Sequence, residues 1–138
     1  MACHRLDVPV VTDDVLIVAD GLAFAGPRCL DLRDPVDDAI ALRGDRYRVT
    51  LDPMTAEVPL RGFVHLGWDA GAHSPLMRRL PPSERLERLL HPGRGDTRWH
   101  DGVARLELAA LPAWELTRPR EGDVDASTEL LIDILNER

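Results

Sequence analysis

The chain has 138 residues, with 17 basic against 24 acidic side chains and a net charge of −7. One domain of that length buries roughly 70% of its unfolded surface, and the acidic balance argues against a general nucleic-acid binder, which needs a basic face. Every basic residue is arginine, so lysine Schiff-base chemistry and a lysine-bearing phosphate loop are excluded within this sequence.

Val8 to Val11 and Val15 to Val18 are β-branched runs on either side of Thr12-Asp13-Asp14 and read as strands. Gly21 and Gly26-Pro27 separate two further extended pieces, Leu22 to Ala25 and Cys29 to Leu32. After Asp34-Pro35, Val36 to Leu42 is expected to form one or two helical turns. Tyr47 to Leu51 alternates polar and apolar and predicts a strand. Val58 to Trp68 predicts a longer one, with Pro59 near its start, where proline is tolerated.

Helical signals dominate the second half. Ser83 is expected to cap a helix running to about His91, with Leu86, Leu89 and Leu90 on one face and the pair Glu84 and Arg88 on another. Leu106 to Leu111 suits either a short helix or a short strand, and Ala113 to Thr117 an extended piece. Asp123 or Asp125 caps a last helix, which buries Leu130, Leu131, Ile134 and Leu135. A strand-rich front under a few helices predicts one α/β (α+β-like) domain over residues 1–138, a mixed β-sheet with packed helices.

No apolar stretch approaches the roughly 20 residues of a membrane span. No signal-peptide core is present, and Cys3 and Cys29 make no disulfide framework. The expectation is a cytoplasmic protein with two free thiols, no membrane association and no nucleic-acid partner. The histidines His4, His65, His73, His91 and His100 show no metal-ligand spacing.

Two features bear on chemistry. Paired carboxylates at a strand end, Asp13 and Asp14, suit Mg²⁺ binding and proton acceptance from a hydroxyl, and equally suit an ordinary acidic turn. Arg118 and Arg120 flank a proline at the end of an extended segment and can clamp a phosphate or carboxylate. Arg28 and Arg33 flank the turn after the aspartates and read as solvated surface arginines.

The segment 8–33, from Val8-Pro-Val-Val-Thr-Asp-Asp to Gly26-Pro-Arg-Cys-Leu-Asp-Leu-Arg33, resembles the region just after the phosphate loop in HPr kinase/phosphorylase-like proteins. Residues 106–120, with Ala-Trp-Glu-Leu-Thr-Arg-Pro-Arg at their end, resemble the closing segment of bacterial HPr-kinase-related proteins. The resemblance implies the HPr kinase / PEP carboxykinase-like P-loop fold and a phosphotransferase acting on a serine hydroxyl. It assigns catalysis to Asp13 and Asp14, with the acid/base and metal-linked roles not divided between them, and puts Asp14 among the metal candidates. It also implies that Mg²⁺ and ATP are cofactors only if a phosphate loop is supplied by another chain, since no G-x-x-x-x-G-K-[ST] occurs here. Met1 to Leu6 read as the last turns of the helix that follows such a loop, which predicts a domain incomplete at its front and a homo-oligomer or partner protein to complete it. The alternative expectation is a non-catalytic binding or assembly module of the same ancestry.

Overall fold

A computed structural model of the chain describes residues 9–12, 16–90, 102–119 and 124–136. They form a mixed α/β structure of three small sheets and three helices, and they fall into two compact units, Met1–Leu60 and Arg61–Arg138. No described helix is long and apolar enough to cross a membrane.

The first unit holds two three-stranded antiparallel sheets. In one, β1 (Ile17–Ala19) and β6 (Glu57–Pro59) flank β2 (Leu22–Phe24). Asp20 and Gly21 turn β1 into β2 with φ of 52° and 70°, the left-handed pair that matches the twist of a tight hairpin. In the other sheet, β3 (Cys29–Leu32) and β4 (Ala41–Arg43) flank β5 (Arg46–Thr50). Its inner face supplies the core of the unit: Leu30, Leu32, Val49 and Leu51, against which Val10 and Val36 pack.

Arg28 ties this unit together. Its guanidinium donates to the carbonyls of Val10 (2.8 Å) and Val11 (3.2 Å) on one side and to that of Asp52 on the other (2.6 and 3.1 Å). It is a structural clasp, where the sequence suggests a solvated arginine. Gly26 N–H also donates to Val11 O at 3.0 Å. No side chain fits at Gly26, because a Cβ would stand 2.3 Å from Thr12 Oγ1.

Three expectations are corrected in this unit. Residues 9–12 carry no strand. Val36 to Leu42 is not helical; Ile40 N–H instead donates to Arg48 O at 2.8 Å and the chain enters β4. A helix of one or two turns is unstable alone, so an available strand edge captures the segment. The single strand over Val58 to Trp68 is two strands, β6 and β7 (Phe63–Trp68), which belong to different sheets and different units.

The second unit is built on β9 (Ala113–Arg118), which lies between β7, parallel to it, and β8 (Leu76–Arg79), antiparallel to it. Helices α1 (Pro82–Leu90) and α2 (Gly102–Ala110) pack together in the connection from β8 to β9, and α3 (Val124–Asn136) follows. The first helix begins at Pro82 rather than being capped by Ser83. Proline suits the first helical position, where its missing N–H is not needed. The expected end at His91 lies outside the described residues. Arg85 in α1 donates to Leu80 O (2.9 Å) and Leu111 O (3.0 Å) and so binds the helix to both flanking segments. The Leu106 segment resolves as helix. In α3, Leu130, Leu131 and Ile134 are half-buried as expected, but Leu135 is exposed and the buried positions are Ser127 and Thr128. The Thr128 hydroxyl donates back to Val124 O at 2.8 Å, which satisfies it without an outside partner.

Gly62 marks the entry to β7. A Cβ there would stand 2.8 Å from Pro112 O and 2.9 Å from Trp114 Cζ3, and Pro112 O accepts the first ladder bond from Phe63 N–H. Gly62→Ala is therefore expected to destabilise the chain by about 1–3 kcal/mol through overpacking. Urea unfolding of the full chain measures this, and an unchanged midpoint would show that the entry to β7 yields freely.

Candidate functional site

The parallel pair β7 and β9 sets the geometry of the second unit. Their ladder runs from Phe63 against Ala113 to Trp68 against Arg118, and Asp69 N–H donates to Arg118 O just beyond it at 2.9 Å. Both strands therefore end at the same place. The carboxyl ends of parallel strands are where open α/β sheets collect ligands, because the chain leaves the sheet there and loops rather than ladders surround the exit.

Arg118 stands at that exit. Its guanidinium carbon lies 4.3 Å from the centroid of the Trp68 ring, its register partner. The indole is 61% exposed, so one side supports the cation while the residue still meets solvent. Arg118 Nε is buried and has no hydrogen-bond partner. Arg118 also makes no ion pair among the described residues. The Asp69 carboxylate, next to it in the loop, accepts from Gly71 N–H at 2.8 Å. A stacked, half-buried guanidinium with no carboxylate partner among the described residues has the chemistry to accept a planar or tetrahedral oxyanion. Since Nε is enclosed, the anion would engage the Nη edge.

A second cluster lies on the other face of the same sheet. Glu115 accepts from Arg78 at 2.7 Å and from Arg88 of α1, while Arg78 also donates to Glu84 of α1 at 2.8 Å. Two strands and one helix thus share one set of charge-assisted bonds. His65 is registered against Glu115 and meets Phe63 edge-on at 5.2 Å between ring centroids. Its Nε2 is buried without a partner. Burial, and then the positive charge of Arg88, push the His65 pKa below its ordinary value, with Glu115 opposing.

Of the four candidate site residues, Arg118 alone lies among the described residues. Asp13, Asp14 and Arg120 lie outside the described residues. The structure adds Trp68, which carries no motif; only the parallel pairing reveals it as the platform for Arg118. Among the described residues, no three His, Cys, Asp or Glu side chains are grouped as a metal ion requires. Comparison with known proteins finds no matching family model, no matching curated protein and no matching solved structure.

The depressed His65 pKa fixes a pH dependence. The unfolded chain takes up this proton near the ordinary value of 6.5, whereas the folded chain resists it to lower pH. The contribution is thus full above about 6.5 and is lost as pH falls through the folded-state pKa. Wild type is expected to lose stability between pH 7 and pH 5 relative to His65→Gln. Parallel slopes for the two proteins in denaturant titrations across that range would refute it.

Proposed function

We propose that the chain is a non-catalytic anion-binding module that holds a phosphate or carboxylate group on Arg118 at the carboxyl ends of β7 and β9. The observation that carries this is the half-buried Arg118 guanidinium, stacked on Trp68 and lacking a carboxylate partner among the described residues. Stacking on Trp68 leaves the Nη edge of the guanidinium to an anion, and a hydrogen bond to a charged group contributes about 1.5–3 kcal/mol. Arg120, two residues on, is a second candidate for the same anion. Exposed apolar side chains on edge strands, Ile17 of β1 and Leu42 of β4, support association with a second copy or another protein. The free thiol of Cys29 suits a reducing cytoplasm.

A second reading is phosphotransferase ancestry, with the HPr kinase-like P-loop fold and Asp13 and Asp14 as its acid/base and metal-linked carboxylates. It rests on the resemblance of residues 8–33 and 106–120. The Arg28 clasp favours it, since it fixes Val10 and Val11 just ahead of that pair. Mg²⁺ and ATP would require a phosphate loop from another chain. The described residues supply neither that cradle nor a metal cluster.

Calorimetric titration of the full chain with acetate, citrate and inorganic phosphate tests the binding reading. Arg118→Gln is expected to weaken binding by about ten- to a hundredfold, the worth of a charged hydrogen bond of about 1.5–3 kcal/mol. Arg118→Lys should restore only part of it, because an ammonium lacks the planar fork and the stacking face. Undiminished binding by Arg118→Gln would remove Arg118 from the site. Phosphoryl transfer from ATP by the isolated chain, lost in Asp13→Asn or Asp14→Asn, would favour the second reading instead.

A further inference from the structure

The β3–β5–β4 sheet has an outer face as distinctive as its apolar inner one. Residues in register share a face. Asp31 is registered with Arg48, Arg48 with Ala41, and Arg46 with Arg43. Three arginines therefore stand on one side of three short strands with one carboxylate between them. That is unusual in a chain whose net charge is −7.

The carboxylate is already committed to one of the three. Arg48 Nε donates to Asp31 Oδ1 at 2.7 Å and Arg48 Nη2 to Oδ2 at 2.8 Å, a two-pronged contact. Arg43 Nη1 reaches no closer than 3.8 Å to Oδ2, and its side chain is 61% exposed. Arg46 makes no hydrogen bond or ion pair with any described residue and feels Asp31 only at a distance. Yet Arg43 and Arg46 sit directly opposite each other, on either side of the Gly44-Asp45 turn, where Gly44 takes φ 62°. Like charges directly opposed across a strand pair are destabilising. A tight hairpin that holds two such charges together gains from an anion between them.

We propose that Arg43 and Arg46 form a phosphoryl-group site, with Arg48, fixed by Asp31, as a third positive wall. Opposed Cβ atoms in such a pair are about 4.5–5.5 Å apart, a spacing from which two guanidinium forks converge on one tetrahedral group. With Asp31 held by Arg48, the two guanidiniums of Arg43 and Arg46 offer more donors than a carboxylate can use, and a doubly charged phosphoryl group, with three terminal oxygens, suits them better. This site shares no residue with Arg118 and lies in the other compact unit. The phosphoryl group is common to inorganic phosphate, a phosphorylated metabolite and a phosphorylated side chain of another protein.

The test is calorimetric titration and thermal unfolding of the full chain with inorganic phosphate, with phosphoserine, and with sodium acetate at matched ionic strength. Phosphate is expected to bind and to raise the unfolding temperature more than acetate does. Arg43→Gln and Arg46→Gln should each weaken phosphate binding at least tenfold, whereas Arg118→Gln leaves this component in place. Phosphoserine binding as tightly as phosphate supports a site that reads the phosphoryl group alone; tighter binding supports one that also contacts its carrier. Should either variant fold poorly, the Nε resonances of Arg43 and Arg46 in the wild-type protein still report, and they should move with phosphate and not with acetate. Equal effects of phosphate and acetate, or phosphate binding unchanged in both variants, would overturn the assignment.

Discussion

Arg28 binds three backbone carbonyls from two separated stretches of chain, Val10-Val11 and Asp52. A lysine ammonium is a point charge on a flexible stem; a guanidinium is a rigid fork that bridges acceptors lying in different directions. The same device recurs wherever this chain brings distant segments together. Arg85 bridges Leu80 and Leu111, Arg48 grips Asp31 across two strands, and Arg78 joins Glu84 to Glu115. With few aromatics and strands of no more than six residues, apolar packing alone gives little directional constraint. Arginine supplies it, and a sequence without lysine is consistent with that dependence.

This division of labour separates the arginines that hold the fold from those that do not. Those aimed at carbonyls or gripping carboxylates are committed to the fold. Arg118, stacked on Trp68, and the opposed pair Arg43 and Arg46 are not. An acidic protein can therefore keep local anion receptors without a basic face, because what matters at a site is the pairing of each guanidinium and not the sum over the chain.

Much of the strand content was legible from local pattern. Leu22–Phe24, Cys29–Leu32 and Ala113–Arg118 are apolar or alternating runs set off by glycine or proline, and they are strands. The errors fall where tertiary pairing overrides a local signal. Val36 to Leu42 has a helical look, but the edge of β5 captures Ile40. Val58 to Trp68 looks continuous, but the chain changes unit at Leu60 and Arg61 and needs Gly62 for its approach to Pro112. Arg118 stands out as a candidate in the sequence because it closes the block whose pattern resembles HPr-kinase-related proteins. Trp68 was not, since its partner lies 50 positions away (68 against 118) and no short motif spans that distance.

The arrangement of β7, β8 and β9 has a consequence for how the second unit assembles. β7 and β8 are not hydrogen-bonded to each other; each pairs only with β9. During synthesis both emerge before their common partner, and neither can begin a ladder until two helices' worth of chain has followed. The hairpins of the first unit close over short loops, whereas this sheet must wait for a long one and then forms as a single late event. Contacts of such high sequence separation slow folding, so nascent chains should pass through a state in which the first unit is structured and the edges of β7 and β8 are bare. That interval is when a chaperone, or a second nascent chain, has most to gain from meeting this protein.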